Sequence, residues 1–372
     1  MSFKFKIIKE INKANNKARV GIMETAHGVV ETPVFMPVGT QATIKGILPK
    51  EIKELGFSII LCNAYHLFLR PGHALISKSG GLHKFMGWDK VILSDSGGFQ
   101  VFSLGKINKI NDDGVVFQSY INGTRHFINT EKAMEIQMAL GSDIAMVFDQ
   151  CVPFPSNRYE TQLAANRTYQ WAKECRKYHN RKDQTLFGII QGGLFPDIRR
   201  ENTFKLRDLD FPGYALGGLS VGEPKPLMYE MIETVIPLLP TEKPRYLMGV
   251  GAPESILEGV IRGIDMFDCV LPTRNGRNGC LFTHNGKISI TNAQYKDDLE
   301  PLDQFCHCYT CQNFSRAYLR HLYKAQEMLA PILGTIHNLY FMSQLMKNIR
   351  KAILENRLES FKREFYNNYL SQ

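Results

Sequence analysis

Three features of the chain predict an α/β fold, a (β/α)8 barrel with β insertions and a metal-binding C-terminal subdomain. Eight short apolar runs end in small or polar residues, at 34–38, 59–63, 91–95, 144–149, 186–191, 214–217, 246–249 and 266–269. A helix-like segment follows each, the alternation expected of a parallel barrel. No G-x-G-x-x-G follows the first run, which disfavours the competing open, doubly wound sheet.

Taken in order, the first 20 residues are Lys-rich and read as an exposed strand or arm. Residues 129–141 begin on Asn129, carry apolar positions at helical period and end on Gly141, so a capped helix is expected. Residues 156–179 read as a longer helix. Three more helices are expected at 196–206, 224–235 and 253–262, each opening on a proline, which suits the first helical position. Residues 100–127 exceed a normal barrel loop. The alternation from Gly114 to Gly123, with its Asn-Gly turn, predicts a β insertion beside the mouth. Residues 274–289 carry a second hairpin pattern around Asn285-Gly286, with Arg274 and Arg277 in a glycine-bearing loop. After Asn292 the strand rhythm stops. The expected division is a catalytic barrel over 1–292 with an insertion at about 100–128, a metal-binding subdomain over 293–345, and a C-terminal helix over 346–372 packing on the barrel. Leu339, Met342, Met346, Ile349 and Ile353 recur at helix spacing and read as a packing face.

The 372 residues are enough for one large domain with insertions or for two domains. No apolar run reaches 18 residues and the N-terminus lacks a signal-peptide pattern, so a cytoplasmic protein without a membrane span is expected. A net charge of +9 is compatible with a polyanionic partner, or with a merely basic cytosolic enzyme.

Cys306, Cys308 and Cys311 are the most specific metal signal. Three thiolates this close can face one ion, and Zn²⁺ takes four such ligands in a tetrahedron. By position, His337 and His321 are the candidates for the fourth. A closed set of four protein ligands would make the site structural.

In a barrel the reactive groups collect at the C-terminal strand ends. Here those positions hold Asp95, Asp149, Gln191, Gly217-Gly218, Met248-Gly249 and Asp268. A carboxylate, an amide and free backbone groups can read a nucleobase edge, although a sugar or amino-acid ligand would fit nearly as well. Asp268 and Asp95 could flank a sugar carbon, one attacking it and the other moving a proton. Either could instead be a structural aspartate satisfied by loop N–H groups, as we read the neighbouring Asp265. Arg274 and Arg277 suit phosphate. Arg316, Arg320, His321 and Lys324 add positive charge that reads equally well as a solvated helix face.

These motifs, in this order, make the chain similar to the bacterial tRNA-guanine transglycosylases (queuine tRNA-ribosyltransferases). The resemblance rests on Ser94-Asp-Ser-Gly-Gly98, Phe148-Asp149 with Cys151, Gln191-Gly-Gly193, Gly217-Gly-Leu-Ser-Val-Gly-Glu223, Tyr246 to Gly251, Phe267-Asp-Cys-Val-Leu-Pro-Thr-Arg274 and the cysteine cluster. It implies a TIM barrel acting as a homodimer. The reaction implied is exchange of guanine at wobble position 34 of tRNAs with GUN anticodons for preQ1, within queuosine biosynthesis. It implies Asp268 as nucleophile and Asp95 as general acid/base, with Asp149, Gln191, Gly218, Leu219, Met248 and Cys151 at the base. Arg274 and Arg277 would hold the anticodon loop. Cys306, Cys308, Cys311 and His337 would bind one structural Zn²⁺ per subunit. A non-catalytic tRNA-binding subunit is the alternative, which the presence of both aspartates disfavours. Two residues depart from the family pattern: Phe99 stands for a common tyrosine and Gln150 for a common glutamate.

Overall fold

The computed structural model describes residues 3–13, 15–104 and 109–370. Residues 105–108, within the expected insertion, lie outside the described residues. The eight apolar runs form one closed parallel barrel. Its strands are β1 (Val34–Gly39), β2 (Ile59–Cys62), β3 (Val91–Ser94), β4 (Ile144–Met146), β5 (Thr185–Ile190), β6 (Tyr214–Leu216), β7 (Arg245–Leu247) and β8 (Met266–Cys269). Each pairs with the next, and β8 closes on β1 in the register Met266↔Val34 to Cys269↔Pro37. Nearly every strand residue is buried, because helices cover the outside while side chains fill the inside.

The expected helices form, with small shifts at their ends. Helix α1 (Thr130–Leu140) is capped by the Asn129 side chain, which accepts from the Lys132 N–H at 2.8 Å, and ends on Gly141 in the left-handed conformation. Helices α2 (Arg158–Tyr178), α3 (Pro196–Arg207), α4 (Lys225–Val235) and α5 (Pro253–Ile261) follow the runs as anticipated. Pro224 precedes α4 as its cap residue and is not its first helical residue.

The N-terminal arm is an antiparallel sheet of Lys4–Glu10, Arg19–Thr25 and Gly28–Thr32 against the N-terminal ends of the barrel strands. Its anchor is the fully buried Arg19, which grips both oxygens of Asp265 at 2.9 and 2.6 Å. Asp265 Oδ2 also accepts the Arg245 N–H at 2.7 Å. This carboxylate, just ahead of β8, is committed to holding the barrel base. The insertion is a second antiparallel sheet, Lys109–Asn111, Gly114–Gln118 and Arg125–Ile128. Arg167 and Trp171 of α2 tie down its Asp112 turn at 2.9 and 2.7 Å.

The segment after β8 corrects one expectation. Arg274 and Arg277 lie on a short helix, α6 (Leu271–Arg277), rather than in a loop. Pro272 in its first turn suits a helix start. Gly276 serves packing, not a turn: a Cβ there would meet the Gly334 carbonyl oxygen at 2.7 Å. The hairpin is confined to Cys280–Thr283 and Gly286–Ser289. The long helix α7 (Leu329–Leu354) then carries His337 and continues to the barrel, so the boundary expected between 345 and 346 falls inside one helix. Its Ser343 hydroxyl donates to the Leu55 carbonyl at 2.6 Å and Arg350 to that of Pro33 at 2.8 Å. Leu339, Met342, Met346, Ile349 and Ile353 form its buried face. Among the described residues no helix is long and apolar enough to cross a membrane.

Candidate active site and metal centre

A cavity of about 640 Å³ opens at the C-terminal ends of the strands. Asp95, Asp149, Cys151, Gln191, Gly218, Leu219, Met248, Asp268, Arg274 and Arg277 all line it. Residues spread over 183 positions of sequence, from 95 to 277 counted inclusively, therefore share one space. Asp95 follows β3, Asp149 follows β4 and Gln191 follows β5, while Asp268 lies within β8.

Asp95 is 6% exposed and held from three sides. Oδ2 accepts from Asn63 Nδ2 at 2.5 Å and Gln100 Nε2 at 2.9 Å, and Oδ1 accepts from the Ala64 N–H at 2.8 Å. Burial pushes its pKa up to about 6, with Asp268's charge adding to the rise and the three donors opposing it. Asp268 receives both its hydrogen bonds on Oδ1, from the Tyr246 hydroxyl at 2.6 Å and the Gly249 N–H at 2.8 Å. Among the described residues no donor takes Oδ2. Burial raises the Asp268 carboxyl as well, against those two donors.

Asp149 forms the opposite wall. Its Oδ1 accepts from the Ser96 hydroxyl at 2.6 Å, and its Oδ2 from Gln191 Nε2 at 2.7 Å. That bond fixes the Gln191 amide and leaves its buried Oε1 without a protein partner. The Gly-Gly pair after Ser96 has a steric reason. A Cβ at Gly98 would lie 2.5 Å from the Asp149 carbonyl oxygen and 2.7 Å from its carboxylate. Burial raises the Asp149 carboxyl. Such a wall, with one acid, one amide oxygen and nearby backbone, suits a flat base with several donors and acceptors. Cys151 is buried beside it, its pKa pushed up to about 12 by burial, which keeps the thiol neutral.

The two departures from the family pattern also find their places. Phe99 is half exposed at the rim. The Gln150 side-chain oxygen accepts from Arg167 Nη1 at 2.6 Å, so the amide completes the Arg167–Asp112 contact without a second charge. Tyr246, Ser96, Asn63 and Gln100 escaped assignment in the sequence. Tyr246, Ser96 and Asn63 each orient a carboxylate on another strand end, and Gln100 one that follows its own strand five residues earlier; nothing in their local sequence signals it.

The raised Asp95 carboxyl has a consequence for stability. A carboxyl with a higher pKa folded than unfolded stabilises the fold fully at low pH, and loses that contribution as pH rises through the folded value. The stability of Asp95→Asn relative to wild type is therefore expected to improve by about 3 kcal/mol between about pH 4 and pH 6, then level off. Urea unfolding of both proteins across that range measures it; a pH-independent difference would refute the raised pKa.

The candidate metal centre lies beside the hairpin. Cys306, Cys308, Cys311 and His337 are all buried and converge. The three sulfurs lie 3.7, 3.5 and 3.4 Å from His337 Nδ1. A tetrahedron with Zn–S near 2.3 Å and Zn–N near 2.0 Å needs about 3.5 Å between sulfur and nitrogen, so the set fits zinc. His337 Nε2 lies 2.5 Å from the Phe282 carbonyl oxygen, to which it donates, leaving Nδ1 as the ligand atom. His321, the other candidate, is exposed on the helix Arg316–Lys324 and lies outside the cluster. The next residue, Asn338, donates to the carbonyls of Pro272 and Cys280 at 3.0 Å each. The metal site is thus joined directly to α6 and its arginines.

A family model described as queuine tRNA-ribosyltransferase matches residues 14–371. A protein named queuine tRNA-ribosyltransferase from Caldanaerobacter subterraneus subsp. tengcongensis is 59% identical over 369 residues, covering 99% of this chain and 98% of its own. Proteins of the same name from Desulforamulus reducens and Thermoanaerobacter pseudethanolicus are each 56% identical, over 365 and 369 residues. They cover 98% and 99% of this chain respectively, and 98% of their own lengths.

Proposed function

The chain belongs to the queuine tRNA-ribosyltransferase family and is a pentosyltransferase of the tRNA-guanine transglycosylase type; from that premise we propose that it replaces guanine at wobble position 34 of tRNAs with GUN anticodons by preQ1. The observation that carries the proposal is the pair Asp268 and Asp95 in one cavity with a base-sized polar wall.

In this reading Asp268 Oδ2 attacks the ribose C1′ as the bond from C1′ to guanine breaks. Asp95 supplies the proton that guanine takes away. The ribose is then held on Asp268 through a covalent C–O bond. PreQ1 enters, loses a proton to Asp95 and attacks C1′, releasing the carboxylate. Two displacements restore the original configuration, and no ATP or redox step is needed to balance them. Tyr246 and Gly249, both bonded to Oδ1, orient the nucleophile and support its charge when it leaves. Asp149, Gln191, Gly218 and Leu219 read the base, and Met248 and Cys151 pack against it. Arg274 and Arg277 grip the anticodon-loop phosphates. The Arg277 Nη1 atom, buried without a protein partner, is in keeping with that role.

Zinc held by the Cys₃His set would be structural, since four protein ligands leave no open position. The protein would act in the cytoplasm as a homodimer. Leu299, Phe305, Tyr309 and Met328 are exposed apolar side chains on the cysteine-bearing region, in keeping with a contact to a second copy.

The test is incorporation of labelled guanine, then displacement of that label by preQ1, in a tRNA with a GUN anticodon. Both are expected, with no exchange when position 34 is adenine. Exchange elsewhere in the tRNA, or none, would overturn the proposal.

A further inference from the structure

Arg199, on α3, is fully buried beneath the base pocket, and among the described residues no carboxylate pairs with it. A buried charge without an ionic partner is costly, so its hydrogen bonds must compensate. All of them go to carbonyl oxygens at the ends of β5 and β6. Nε donates to Gly193 at 2.7 Å, Nη2 to Gly217 at 2.9 Å and Gly218 at 3.4 Å, and Nη1 to Ile190 at 3.5 Å.

In a trans peptide the C=O and N–H point in opposite directions. The Gly217 carbonyl faces down to Arg199, so the Gly218 N–H of the same peptide faces away, towards the cavity that Gly217, Gly218 and Leu219 line. No protein acceptor takes that N–H among the described residues. Glycine peptides rotate with little steric resistance, so the Gly217-Gly218 backbone does not hold this orientation by itself. A flipped peptide would turn a carbonyl to the base and cost the guanidinium its Gly217 acceptor, the nearer of the two that Nη2 has.

We infer that Arg199 is a positioning residue which fixes a hydrogen-bond donor, rather than an acceptor, on the pocket wall at Gly218. This rests on the reading of Gly218 as a base-recognition position. The pocket then selects a base with an oxygen at that edge over one with an amino group. Guanine is such a base; 2,6-diaminopurine, which carries an amino group in place of the oxygen, is not.

The experiment uses the full chain and tRNA, with guanine and 2,6-diaminopurine competing against labelled guanine. Wild type is expected to favour guanine strongly. In Arg199→Lys and Arg199→Met the preference is expected to fall on the order of tenfold, the worth of about one backbone hydrogen bond. KM for guanine rises by a similar factor, while KM for tRNA stays within about twofold and kcat falls less. A variant that melts like wild type yet keeps the full preference overturns the inference. So does a wild type that takes both bases equally, whether or not the variants fold. No guanine exchange by the wild type would overturn the underlying reading, and this inference with it; exchange with an unaltered preference overturns the inference alone.

Discussion

Asp268→Asn is expected to lose base exchange by about 10⁴-fold or more, together with the denaturant-stable enzyme–RNA adduct, while RNA binding is retained. The amide has nearly the volume of the carboxylate. Its Oδ1 can still accept from Tyr246 and Gly249, so the site keeps its shape. What disappears is the anionic Oδ2 that would form the bond to C1′. Because the wild-type carboxylate is raised by burial, removing its charge carries no stability penalty from desolvation. Labelled-guanine incorporation, denaturing electrophoresis of enzyme with tRNA, and a filter-binding titration measure the three quantities. A variant with full activity would remove Asp268 as nucleophile, and loss of RNA binding in step with exchange would make the residue a binding group.

The second large effect is expected at the metal. Wild type should hold about one zinc per chain, and Cys308→Ser much less. Structural zinc sites contribute about 10 kcal/mol or more to small metal-dependent folds. The variant should therefore lose several kcal/mol and melt the region around the Cys280–Ser289 hairpin. Exchange should fall in parallel, since Asn338, one residue past the ligand His337, holds Pro272 of the helix that carries Arg274 and Arg277. Metal content, thermal unfolding and turnover after addition of chelator check this together. If chelation stopped turnover at once with the fold intact, the metal would be catalytic and the closed-site reading wrong.

The barrel was legible because parallel strands covered on both faces are written as unbroken apolar runs, each ending where a polar residue can reach the mouth. That same rule located Asp95, Asp149, Gln191 and Asp268 from their positions alone. It could not locate their partners. Tyr246 sits inside an apolar run and looks like core until β7 and β8 are paired, when its hydroxyl meets Asp268. Arg199 lies in a helix of mostly polar residues and looks solvated, yet it is fully buried. Asn275-Gly276 looks like a turn, whereas its glycine answers to a helix that passes 58 positions later, where Gly334 approaches. In each instance the deciding contact is distant in sequence, and a local pattern holds no trace of it.

The reach of the helix Leu329–Leu354 has a bearing on how the chain comes to be assembled. Arg350 bonds the Pro33 carbonyl and Ser343 that of Leu55, spans of 317 and 288 residues. The covering of the first barrel strand is therefore made about 300 residues after the strand itself. During synthesis β1 waits beside a growing polypeptide until that helix leaves the ribosome, and its outer face stays open until then. Such long-range closure slows folding and leaves partly made chains prone to aggregation. Ribosome-bound intermediates shorter than about 350 residues would be the form on which chaperones act.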